Sequence, residues 1–87
     1  MTDQKNIQEL ASLVANIGDK KSALEFLQNI LTPQELEEIA KRLQIFKMLH
    51  AGVSQRAIAE KLGVSIGTVS RGSRELQYGP PGIKKLL

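Results

Sequence analysis

The chain contains no cysteine, which excludes disulfide staples and thiolate metal sites. A single histidine, His50, leaves too few ligands for a metal site built from protein alone. No apolar run approaches the ~20 residues of a membrane-spanning helix, and the polar start, Met1-Thr2-Asp3-Gln4-Lys5-Asn6, does not read as a secretory signal. Internal repeats, low-complexity tracts and dividing linkers are also missing. The expectation is one soluble domain in the cytoplasm, spanning residues 1–87, with neither a metal nor a membrane partner. Its 87 residues support only a small core, and chains this short tend to depend on staples or a partner for firm folding.

The net charge is +3, unevenly distributed. Residues 1–51 hold six Lys/Arg against seven Asp/Glu, net −1, whereas residues 52–87 hold six against two, net +4. A basic excess confined to the C-terminal part is the pattern expected where that part faces phosphate.

Ile7, Leu10, Leu13, Val14 and Ile17 recur at helical spacing, and Gly18-Asp19 interrupts the run. A second helix is predicted from Lys21 to Leu31, apolar over more than half its circumference. Thr32-Pro33-Gln34-Glu35 marks a third start: Thr32 suits the N-cap, Pro33 the first helical position, and Glu35 closes a capping box. This helix is predicted to reach about Ala51, with Gly52 just past its end. Helices apolar on more than one side must bury those sides against something, and a monomer of this length offers few such surfaces. Residues 1–51 therefore read as dimerisation helices of a homodimer, with a compact monomeric bundle as the alternative.

From Ser54 the pattern changes. Ser54 caps a short helix over Gln55 to Leu62, Gly63 reverses the chain in a left-handed conformation, and Ser65 caps a helix over Ile66 to Leu76. Ile58, Leu62, Val64 and Val69 fall where two crossing helices and their turn share a core, and Ala59 is small where the helices approach most closely. This is a helix-turn-helix over residues 54–73, whose second helix offers its N-terminal residues to the DNA major groove. Ile66, Gly67, Thr68 and Ser70 are short enough for close approach; Thr68 suits a thymine methyl or a hydrogen bond, and Ser70 a phosphate or base. Gln55 and Arg56 are placed at phosphate, with a guanine edge as the alternative for Arg56; Lys61 and Arg74 are further phosphate candidates. Gly72 stands where an apolar residue would meet the core, as either a close helix contact or a gap kept for a ligand. Glu35, Glu37 and Glu38 read as dipole-favouring residues rather than acid/base groups, and no catalytic residue is assigned.

The set Leu31-Thr32-Pro33, Arg42, Gly52, Ser54-Gln55-Arg56, Leu62-Gly63, Ile66 and Thr68-Val69-Ser70-Arg71-Gly72-Ser73 resembles the Trp repressor family, strongly over about half the chain. The resemblance implies an all-α, intertwined homodimer, a helical bundle with a helix-turn-helix, that represses transcription at a palindromic operator with L-tryptophan as corepressor. It implies that Arg42 and Arg71 flank the indole and pair with the carboxylate, tasks that suit guanidinium groups. Gly72 would make room beside the ligand, and Thr32 with the carbonyls of Asn29 and Leu31, from the partner subunit, would approach the ammonium. Gln55, Arg56, Ile66, Gly67, Thr68 and Ser70 match the family's DNA-facing positions.

Two positions depart from the family. Glu75 replaces a small hydroxyl residue near the ammonium, and either pairs with it or spoils the pocket through its desolvation. Ala59 replaces a lysine that would contact DNA. Gln77-Tyr78-Gly79-Pro80-Pro81-Gly82-Ile83-Lys84-Lys85 resembles a Trp-repressor-like branch whose members are not established tryptophan sensors, and the tail, residues 78–87, is expected to form one closing helical turn. Two other functions compete: a regulator of the same fold answering to another ligand or none, and a helix-turn-helix module of an initiation, sigma-like or recombinase protein. Leu31-Thr32-Pro33-Gln34-Glu35 with Ala59 to Val69 also resembles the DNA-binding domains of response regulators. The combination of Arg42, Arg71, Gly72 and Ser73 favours the Trp repressor family over these modules.

Overall fold

Short polar side chains set most of the helix boundaries. In a computed structural model, which describes residues 2–87, six helices follow one another: α1 (Thr2–Ala15), α2 (Lys20–Ile30), α3 (Pro33–His50), α4 (Gln55–Leu62), α5 (Ile66–Tyr78) and α6 (Gly82–Leu86). No strand occurs among the described residues. Asp19 caps α2 by accepting from the Ser22 amide at 2.7 Å and the Ser22 hydroxyl at 2.9 Å. These bonds, the backbone one foremost, hold the fully exposed Asp19 carboxyl below its ordinary value of 3.8. The predicted capping box opens α3: the Glu35 amide donates to Thr32 Oγ1 at 3.2 Å, and the Thr32 amide donates to Glu35 Oε1 at 2.8 Å. Ser54 and Ser65 cap α4 and α5 through the amides of Ala57 and Thr68. Each such cap is worth about 1 kcal/mol.

The chain divides into two compact units, one running through Leu36 and the other Glu37–Leu87, so the division falls inside α3. Within the first unit no described residue is buried. Ile7, Leu10, Leu13, Val14, Leu24 and Ile30 all stand exposed, Ile7 at 57%. The second unit holds the core. Ile58 of α4 and Val69 of α5 are 0% exposed, and Ile45 of α3 is 3% exposed. Met48, Leu49, Val53, Ala59, Leu62 and Val64 pack around these three.

The sequence-based helix boundaries hold to within two residues, the largest shift being at the end of α5. Helix α5 continues to Tyr78 rather than Leu76, because nothing opposes helix until Gly79-Pro80-Pro81, where proline disfavours helical backbone in the residue before it and removes a donor. Sequence patterning placed all of α3 among the dimerisation helices, whereas Ile45, Met48 and Leu49 in its C-terminal half roof the helix-turn-helix. The tail forms the expected short helical turn, α6.

Gly52 and Gly63 hold φ of +86° and +67°, the region that L side chains rarely enter. Gly67 is different: it lies in α5 with φ negative, and an added Cβ would meet only Ser65 Oγ at 3.8 Å. The two substitutions are therefore expected to act with opposite signs in urea denaturation. Gly63→Ala lowers stability by about 1 kcal/mol, and Gly67→Ala raises it by a few tenths to about 1 kcal/mol. Equal midpoints for the two variants would contradict this assignment of strain to Gly63.

Candidate nucleic-acid interface and ligand cleft

Both candidate sites are built on α5, and its N-terminal turns carry the first. Ile66, Gly67 and Thr68 are exposed, Ile66 at 52%. Thr68 is tied into the cap, its hydroxyl 2.8 Å from Ser65 Oγ and its amide donating to the same oxygen at 3.1 Å. At the start of α4, Arg56 is exposed and Gln55 is half-buried. Ser70 is also half-buried, and its hydroxyl donates to Gln55 Oε1 at 2.7 Å. Lys61 and Arg74 are exposed. The turn of α4 into α5 thus brings Gln55, Ser70 and the first residues of α5 into one region, as the helix-turn-helix pattern requires.

The second site is a cleft of about 620 Å³ between the middle of α3 and α5, within the roughly 300–1,000 Å³ of small-molecule sites. Helix α3 contributes Glu38, Lys41, Arg42, Ile45 and Phe46; Val64 comes from the turn; α5 contributes Thr68, Arg71, Gly72 and Glu75. Four of the five residues expected at a ligand, Arg42, Arg71, Gly72 and Glu75, therefore line one cavity. Thr32, the fifth, is expected from the partner subunit; within its own chain its hydroxyl and amide serve the α3 capping box.

Gly72 resolves toward the close-contact reading. A Cβ built on it would stand 2.9 Å from Ile45 Cγ2 and 3.7 Å from Leu49 Cδ1. The apolar space that a side chain at position 72 would fill is already taken by α3, and the cleft opens alongside this contact rather than in place of it. Glu75 sits one turn beyond Arg71, its carboxylate lying against Gly79, where the absence of a side chain leaves room. Sequence reasoning assigned Glu38 to the helix dipole; in the structure it lines the cleft one turn before Arg42. The i, i+4 spacing of Glu38 with Arg42, and of Arg71 with Glu75, was the available signal. The cleft thus combines three cationic and two anionic side chains over an apolar floor, which suits a small ligand bearing charge and an apolar body. Among the described residues no group of three or more metal-ligating side chains occurs.

Residues 5–87 match the family model described as Trp repressor protein. A Trp operon repressor homolog of Vibrio campbellii (strain ATCC BAA-1116) is 36% identical over 76 residues, covering 86% of this chain and 76% of that protein. One from Vibrio vulnificus (strain YJ016) is 38% identical over 71 residues, covering 80% and 70%. One from Aliivibrio fischeri (strain MJ11) is 36% identical over 70 residues, covering 79% of this chain but only 65% of its own length. The crystal structure of a TrpR like protein from Eubacterium eligens ATCC 27750 superposes with a TM-score of 0.86 at 29% identity, covering 94% of this chain and 84% of that one.

Tight packing at Gly72 has a measurable consequence. In Gly72→Ala the overpacking cost of about 1–3 kcal/mol outweighs the ~1 kcal/mol gained in helix propensity, so the urea midpoint falls. Removing the opposing atoms with Ile45→Ala should make the pair non-additive, the double variant being less destabilised than the two losses together. Strict additivity would show that the two helices do not meet there.

Proposed function

The chain belongs to the Trp repressor protein family, and from that premise we propose that it is a DNA-binding transcription repressor that acts as a homodimer on a palindromic operator, with L-tryptophan as corepressor. Members of this family are regulatory DNA-binding proteins rather than enzymes. The observation that carries the ligand half is the convergence of Arg42, Arg71, Gly72 and Glu75 on one cleft whose lining also includes Thr68 of the reading turn.

In this reading Gln55 and Arg56 meet phosphate, while Ile66, Gly67, Thr68 and the Ser70 region approach the groove. Arg42 and Arg71 enclose the indole and clasp the carboxylate, over the floor made by Ile45, Phe46 and Val64. Glu75 takes the ammonium, with Thr32 approaching from the partner subunit. A ligand so held ties α3 to α5 and limits the positions the reading turn adopts. It favours DNA binding only by the difference in its affinity for the two arrangements. The exposed Ile7, Leu10, Leu13, Val14, Leu24 and Ile30 support dimerisation, since large apolar side chains left open to water in this number are better covered by a partner. No helix among the described residues is long and apolar enough to cross a membrane, and action on DNA would place the protein in the cytoplasm.

Glu75 also favours a second reading, a regulator of the same fold whose cleft takes a different ligand. A carboxylate in place of a small hydroxyl changes the charge of the site and costs desolvation unless a cation meets it.

Calorimetric titration with L-tryptophan separates the two. The protein is expected to sediment at about twice its 9.6 kDa chain mass and to bind tryptophan with micromolar to millimolar affinity, with tighter DNA binding as a result. Intact DNA binding without tryptophan heat would sink the corepressor assignment and leave the DNA assignment standing; a monomeric mass would remove the dimer. For Arg56→Ala, affinity should fall for all sequences alike, with the slope of log K against log salt reduced by about 0.9, the value for one phosphate contact. A loss confined to particular sequences would put Arg56 on a base edge instead.

A further inference from the structure

Ser70 lies among the residues expected to face DNA, yet its hydroxyl is engaged within the protein. It donates to Oε1 of Gln55, fifteen residues earlier on α4, at 2.7 Å, and both side chains are half-buried. A carboxamide is planar, with an acceptor oxygen on one side and a two-proton donor nitrogen on the other. A hydroxyl donating to the oxygen fixes which end remains available, and that end is Nε2, a donor only. Phosphate oxygens accept hydrogen bonds and do not donate them. An amide locked in this sense suits the DNA backbone, whereas the same amide turned over presents its own oxygen and is repelled.

We propose that Ser70 is a positioning residue: it does not contact DNA but holds the Gln55 amide with its N–H groups directed at a backbone phosphate. This rests on the DNA-binding reading above and changes the role that Ser70 has in it. The energy of the Gln55 contact is realised only if the amide need not be ordered on binding, and the Ser70 bond supplies that ordering in advance. Because Gln55 is neutral, its contact adds affinity without adding a released counterion, unlike that of Arg56.

The test is a double-mutant cycle on the full chain, with a mixed-sequence DNA duplex as the probe over a range of salt and urea midpoints as the control for folding. Ser70→Ala is expected to weaken binding about threefold to tenfold, the scale of the net contribution of one ordinary hydrogen bond, with the salt slope unchanged. Gln55→Ala should do the same, and the double variant should bind no more weakly than Gln55→Ala alone. Ser70→Thr, which keeps the hydroxyl, should restore binding. Gln55→Glu keeps an acceptor for Ser70 but turns a carboxylate toward phosphate; it should bind more weakly than Gln55→Ala at an undiminished urea midpoint, a result that a purely structural brace does not produce. Losses that multiply in the double variant, wild-type binding by Ser70→Ala, or wild-type binding by Gln55→Glu would each overturn the proposal while leaving the DNA reading intact. If Ser70→Ala fails to fold, the near-isosteric pair Ser70→Thr and Ser70→Val decides, since they differ in the hydroxyl and equal DNA binding by the two overturns the proposal. A wild-type protein that does not bind the duplex overturns both.

Discussion

Ile58 and Val69 must occupy the same dry space, and the second unit is organised around that requirement. They lie on different helices, both at 0% exposure, and the chain has only Gly63, Val64 and Ser65 in which to turn from one helix to the next. A left-handed Gly63 makes the reversal possible, and Ser65 restarts the helix at once. Ile45 of α3 closes the space from a third direction. Full burial of one such side chain contributes only about 1.5–3 kcal/mol, so a core of this size leaves a thin margin. In that setting a cap or a glycine is a sizeable part of what keeps the helices in register.

Helix α5 consequently has several tasks within three turns. Its first turn carries the residues proposed to meet the groove, its middle carries Val69 into the core, and Arg71, Gly72 and Glu75 line the cleft. Thr68 belongs both to the turn proposed to read DNA and to the cleft wall. In the proposed reading regulation needs no separate sensing domain, because a ligand held against α3 would act directly on the element proposed to read DNA. Gly72 lets α3 come close enough to form the other wall. A residue with a side chain there would displace Ile45 and with it the roof over Ile58 and Val69. The cleft and the core are therefore two sides of one close helix contact.

The first unit follows a different logic. It carries abundant apolar side chains and buries none of them fully among its described residues. An apolar face of this extent is unfavourable in water, and the proposed dimer would remove it. The modest basic excess is consistent with this division of labour, since the net positive charge lies in residues 52–87, where DNA contact is proposed, and not in residues 1–51.

The features legible in the sequence are those governed by neighbours along the chain. Thr32 with Glu35, Ser54, Gly63 and Ser65 determine where helices begin and reverse, because caps and left-handed turns act over three or four residues. The all-helical class and the helix-turn-helix followed from them, and the resemblance singled out Arg42, Arg71 and Gly72, which the structure brings to one cavity. Tertiary structure decided what depends on partners far away in the chain. It showed that the end of α3 roofs the helix-turn-helix, that Gly72 is a contact with Ile45, that Glu38 joins the cleft, and that the Ser70 hydroxyl faces Gln55. A helical pattern states which residues share a face but not what that face meets, and a hydroxyl's role is determined only when its partner is in place.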